Sequence, residues 1–328
     1  MNRPSPLVRL LERRARALRR HLSAAIAGTD VGVHQARVAS RRLREAVPVL
    51  TAGLQHTHSG KAQKKIRRLT QALGTVRELD VTLHLIDELA ERSGVPRAAL
   101  AEVRALVIED RERRRVVMLE RLESVNQPKL ASRLQGVRQA LVRPAAGHRW
   151  RAALAQRIAK RARRLNKAIE QAGQIYAPEP LHQVRIAAKK LRYSLEIADE
   201  SGVAPCSATL KVIKRVQDAL GRLHDLQILQ HHVAAVGAAP RGRRSPPDAG
   251  LAILSRLIED ECRHLHGRYV AQLPLMREAV EAARRDIPLR LTPRGRSAQA
   301  IKMGLTPKRR AGRKMSPAAK RRGTGGQR

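Results

Sequence analysis

A twelve-residue phrase occurs twice in the chain, 148 residues apart: Val33 to Arg44 reads VHQARVASRRLR, and Leu181 to Arg192 reads LHQVRIAAKKLR. Each copy carries a histidine followed by cations three, seven and ten residues later. At 3.6 residues per turn, those four side chains fall within roughly 80° of arc on a helix. The phrase therefore predicts two helices, each with one concentrated positive stripe, in a chain made of two similar halves. Like charges at helical spacing repel, so each stripe needs either solvent or an anion in front of it.

The repeat extends beyond the phrase. Residues 7–26 read as an amphipathic helix with Leu7, Leu11, Leu18 and Leu22 on one face and Arg9, Arg13, Arg16 and Arg20 on the other. The pattern returns 147 residues later, with Ile158, Leu165 and Ile169 apolar and Lys160, Arg163 and Lys167 basic. In the phrase itself Ala36, Ala39, Leu43, Val47 and Leu50 oppose His34, Arg37, Arg41 and Arg44. Its second copy sets Val184, Ala187, Leu191, Leu195 and Ala198 against His182, Arg185, Lys189 and Arg192. A third helix in each half repeats the scheme. Lys61, Lys64 and Arg68 oppose Ile66, Leu69, Leu73 and Val76, and Lys211, Arg215 and Arg222 oppose Ile213, Val216, Leu220 and Leu223. Both third helices contain Leu-Gly (Leu73-Gly74, Leu220-Gly221) with a carboxylate four residues on, Glu78 or Asp225. A fourth helix is expected from Pro96 to about Glu123, matched loosely by residues 248–285.

These readings predict an all-α fold: two pseudo-symmetric four-helix bundles from an internal duplication, with basic helix faces that line something wet, whether a groove, a pore or an open surface. Helices basic over half their girth cannot bury that half in a dry core. The helical domain is expected over 1–286, with halves at about 5–125 and 147–286 and a connector at 126–146. Residues 287–328 hold 13 Lys/Arg and no acidic residue, and are expected to form a disordered basic tail.

The formal net charge of the 328-residue chain is +39, and without the tail 54 basic residues still face 28 acidic ones. A polyanion is the expected partner. The two cysteines, Cys206 and Cys262, form no disulfide framework. The cationic N-terminus lacks the apolar core of a secretory leader, and no apolar stretch is long enough to cross a bilayer, so neither export nor membrane insertion is expected.

The motif His-x-x-Arg-x-x-x-[Arg/Lys]-[Arg/Lys]-Leu-Arg, opening the second helix of each half, resembles the CHAD family, the conserved histidine α-helical domain. The match covers about residues 5–285 and is most specific at 181–193. The resemblance implies a pseudo-symmetric helical domain that binds inorganic polyphosphate through basic helix faces around a central groove or pore, in association with polyphosphate granules; a cytoplasmic location is expected. Carried onto this chain, it implies binding by His34, Arg37, Arg41, Arg44, His182, Arg185, Lys189 and Arg192. Lys64, Arg68, Lys211 and Arg215 on the third helices join them, as do Arg13, Arg16, Lys160 and Arg163 on the first. Some relatives carry a strand-rich triphosphate-tunnel domain; nothing in this chain resembles it, and no hydrolytic activity is inherited from it.

Glu78 and Asp225 read as partners that orient the cations, and His84, His224, His231 and His232 as packing or surface residues. Cys262 and His266 sit one turn apart, but two ligands make no metal site. There is no phosphate-binding glycine loop and no carboxylate cluster among the basic residues, so neither an enzyme nor a cofactor is expected. The alternative function is non-specific nucleic-acid binding, with Lys308–Arg310 and Lys320–Arg322 of the tail as an independent route to it. The near absence of aromatic side chains argues against base stacking.

Overall fold

Leucine and alanine at helical spacing, interleaved with arginine, favour helix at almost every position. A computed structural model describes residues 5–54, 59–142, 149–238 and 249–291 and contains nine α-helices and no strand among them. In chain order they are α1 (Pro6–Ile26), α2 (Asp30–Leu50), α3 (Ser59–Ala90), α4 (Arg97–Ser124), α5 (Gln127–Val142), α6 (Arg149–Ala172), α7 (Pro178–Glu200), α8 (Ser207–Ala238) and α9 (Ala249–Leu291).

Local chemistry sets the early boundaries. Ser5 caps α1 by accepting from the Val8 amide at 3.4 Å, with Pro6 at the first helical position. Thr29 caps α2 by accepting from the Gly32 amide at 3.1 Å. Between them the chain reverses through Gly28 at φ +84°, a left-handed conformation that favours glycine, with the Arg115 guanidinium lying over it.

The expected apolar faces become the core. Leu7, Leu11, Leu18 and Leu22 of α1 are buried, as are Ala36, Ala39, Leu43, Val47 and Leu50 of α2 and Val184, Leu191, Leu195 and Ala198 of α7, whereas Ala187 is half-buried at the edge of a surface groove. Each fully buried Leu or Val contributes about 1.5–3 kcal/mol. Within the first half α1 packs on α2, α2 on α3 and α3 on α4; within the second α6 packs on α7, α7 on α8, and α9 on both α8 and α6. The halves meet where α2 touches α7 and α6, α3 touches α8, and α4 touches α8 and α9.

The stretch between the expected halves holds a packed helix. α5 lies against α1 and α3 and buries Leu130, Val137 and Leu141. Together α4 and α5 reproduce the burial pattern of α9. Leu100, Val103, Val107, Met118, Leu122 and Val125 are buried, and so, at one constant offset along the chain, are Leu251, Leu254, Ile258, Tyr269, Leu273 and Met276. Leu130, Val137 and Leu141 recur as Val280, Ile287 and Leu291, with that offset shortened by a single position. The register changes at Asn126, whose φ of 52° interrupts the first-half helix. The side chain of Asn126 then accepts from the Lys129 amide at 2.9 Å to start α5, while Lys65 Nζ donates to Val125 O. The counterpart stretch of α9 runs unbroken through Pro274.

The tail boundary also moves. α9 continues to Leu291 because Ile287 and Leu291 are buried, so residues 287–291 belong to the helical body. The remainder of the expected tail lies outside the described residues. No helix among the described residues is long and apolar enough to cross a membrane.

Candidate functional site

The two phrase helices approach each other where the halves meet, and their stripes turn inward. Arg37 and Arg41 come from α2, Arg185 and Lys189 from α7. The four are close enough to perturb one another. Burial first, then Arg41 and Arg185 among its charged neighbours, brings the Arg37 guanidinium down to about 10. Burial and then the charges of Arg185, Arg41 and Arg37 bring Lys189 down to about 7. Arg185 is lowered by burial, against the pull of Asp225.

Compensation inside the cluster is thin. Asp225 Oδ1 stands 3.9 Å from Arg185 Nη2, and Glu78 acts on Arg37 and Arg185 at longer range. Burial raises the Asp225 carboxyl, opposed by Arg185 and Lys189. The Nε atoms of Arg37, Arg41 and Arg185 are buried with no acceptor in the protein. A buried donor left unpaired costs about 1–3 kcal/mol. Tyr193 lies close enough to act on both Arg37 and Arg185.

The Leu-Gly steps of α3 and α8 keep this side open. A Cβ on Gly221 would meet no heavy atom within 4 Å, and one on Gly74 would meet only Arg37 Nε at 3.7 Å. One turn further on stand Glu78 and Asp225, on the same helix faces.

Each histidine has a partner at the next position of the repeat. His182 Nδ1 lies 3.3 Å from His224 Nδ1, with ring centroids 4.6 Å apart. Burial, then Arg185, His182 and Lys189, lower His224 to about 3. The position equivalent to His224 in the first half is Arg77, and it faces His34, whose pKa is lowered by burial, then by Arg77 and Arg37. His224 thus packs against an expected site residue, in keeping with the packing or surface role that the sequence reading gave it. It stands directly before Asp225, as Arg77 stands directly before Glu78.

The structure brings together His34, Arg37, Arg41, His182, Arg185 and Lys189; none of the other ten expected positions is among the charges that act most on Arg37, Arg185 and Lys189. Arg44 lies 3.8 Å from Glu45, and Arg192 lies 3.5 Å from Glu196 and stacks over Tyr193 at 5.2 Å. Both are occupied by their own helices. Lys64, Arg68, Lys211 and Arg215 are exposed, and Arg68 acts on Lys65 instead of the central four. The positions two turns before Gly74 and Gly221, on the same face, are Arg67 and Lys214. Arg13 pairs with Glu200 at 2.7 Å. Arg16 lines a groove between α1 and α5 with Leu11 and Leu18, and Lys160 and Arg163 are exposed on α6. No group of three or more His, Cys, Asp or Glu residues able to hold a metal exists among the described residues.

A family model described as the CHAD domain matches residues 9–234. Among solved structures, the chain is similar to the crystal structure of the CHAD domain from the plant Ricinus communis, at 23% identity and a TM-score of 0.59, covering 84% of this chain and 91% of that one. It is also similar to PptA from Streptomyces chartreusis, at 17% identity and a TM-score of 0.46, covering 85% of this chain and all of the other. The first likeness bears on the fold alone; the second is too distant to bear on it. No curated protein matches the chain.

Proposed function

The chain belongs to the CHAD domain family, and from that premise we propose that it binds inorganic polyphosphate, without turnover, through the cationic cluster between α2 and α7. One observation carries the reading: Arg37 and Arg41 of one half and Arg185 and Lys189 of the other stand together, half-buried, with too few carboxylates to neutralise them. A protein holds such a cluster at a cost in repulsion and desolvation, and a linear polyanion offsets it.

Polyphosphate fits the chemistry. It carries about one negative charge per phosphate and no bases, so it requires a row of cations and no base-edge readout. Arginine forks grip paired oxygens, and lysine supplies a mobile point charge. Released counterions add an entropic drive, by the physics known for nucleic acids. Association with polyphosphate granules follows from this reading as a further expectation.

The test is a parallel titration of the full chain with polyphosphate, RNA and DNA at equal phosphate concentration. Polyphosphate should bind tightest and displace the other two. Replacing Arg37, Arg41, Arg185 and Lys189 together by Glu should weaken polyphosphate binding well over tenfold while the circular dichroism stays helical. Unchanged affinity would overturn the assignment of this cluster, and RNA or DNA resisting displacement would favour the nucleic-acid alternative.

A further inference from the structure

Two surface grooves occupy matched places in the two halves, one between α1 and α2 (about 340 Å³), the other between α6 and α7 (about 230 Å³). Arg14, Gln35 and Arg42 line the first; Arg161, Gln183 and Lys190, at the equivalent positions of the repeat, line the second. In each, one guanidinium is pinned to the neighbouring helix. Arg14 Nη1 donates to Arg42 O at 2.7 Å, and Arg161 Nη1 donates to Lys190 O at 2.6 Å.

Their charge compensation differs. In the first groove Glu200 accepts from Arg13 at 2.7 Å and from Arg14 at 2.9 Å, and Glu196 accepts from Arg42 at 3.2 Å. Three arginines there meet two carboxylates. In the second groove Arg161 shares Glu45 with Arg157. That leaves Arg164, Lys167 and Lys190, all exposed and in no ion pair among the described residues. Arg164 stands where the first half has Ala17, and no acidic residue lines this groove.

An ordinary solvated face would show no such contrast between matched sites. We propose that the α6–α7 groove is a second anion site, which takes a short phosphoryl chain between Arg164, Lys167 and Lys190 over the fixed Arg161 guanidinium. The Arg164 fork and the mobile ammonium groups of Lys167 and Lys190 suit non-bridging phosphoryl oxygens. The proposal rests on the polyphosphate reading and extends it: a long chain could engage the central cluster and this outer groove together, gaining affinity from linkage alone.

Calorimetric titration of the full chain with tripolyphosphate tests it, using three variants. Arg164→Gln/Lys167→Gln/Lys190→Gln should lose one binding event, with affinity at that event falling tenfold or more, and keep the other within twofold. Arg256→Gln/Arg268→Gln/Arg277→Gln, which removes equal charge from exposed positions on α9, should keep both events. Arg37→Gln/Arg41→Gln/Arg185→Gln should lose the complementary event. The proposal is overturned if the first variant titrates like the unaltered chain, or if the α9 variant loses as much as the first. Failure of the central variant alone to change binding would instead overturn the function proposed for the α2–α7 cluster and leave the outer groove standing.

Discussion

Lys189 holds its proton only weakly, because burial and three arginines bring it from 10.5 to about 7. Between those values the unfolded chain binds the proton and the folded chain does not. Stability of the unliganded protein should therefore rise as pH climbs from about 7 toward 10.5. A polyanion beside the ammonium reverses the bias, so binding should take up a proton and weaken as the solution turns alkaline. Calorimetry in buffers of different ionisation enthalpy reads the uptake, and Lys189→Arg, charged throughout, should flatten the pH dependence. His224 works on the acid side. Lowered from 6.5 to about 3, it stays neutral in the fold while the unfolded chain protonates, so stability is lost as pH falls from about 6.5 to 3. His224→Gln should remove part of that loss in thermal melts across the same acid range.

Among the elements, α5 was the least legible. Leu130, Leu134, Val137 and Leu141 recur at helical spacing, but Pro128 and Gly136 lie among them, so the stretch reads as a connector that a helix can fill. Only its packing on α1 and α3, and the burial register it shares with α9, identify it as part of the first half. Leu130→Ala should cost about 2–5 kcal/mol in denaturant unfolding. At the break, Asn126→Ala should cost about 1–2 kcal/mol, losing both the cap and a residue tolerant of positive φ. Asn126→Gly should cost less, because glycine accepts that φ freely. The phrase helices, by contrast, were legible as helices, since their apolar and basic faces are largely separated.

Across the whole molecule the halves are joined by ion pairs as well as by apolar packing. Glu45 of α2 accepts from Arg157 and Arg161 of α6, while Glu200 of α7 accepts from Arg13 and Arg14 of α1. Glu45 and Arg161 are only 10% and 11% exposed, so Glu45→Ala should cost about 3–5 kcal/mol by stranding buried charge. Urea unfolding would measure it, and the central cluster is untouched by the change. The summed field also sets the salt response. The slope of log affinity against log salt should become shallower by about 3 when Arg37, Arg41, Arg185 and Lys189 are all replaced by Gln, at about 0.7–0.9 per cation.

The site positions were implied by the resemblance to the CHAD family; periodicity alone determined the helices and their apolar faces, because each depends on spacing within one helix. It could not determine which cations meet. Arg37 and Arg185 lie in opposite halves of the chain, and only the crossing of α2 and α7 brings them together. Likewise Arg44 and Arg192 continue the same stripes but lie beside Glu45 and Glu196, while His224 packs against a ring on a different helix. A helix face is written in local sequence; what stands opposite that face is settled by how the helices pack.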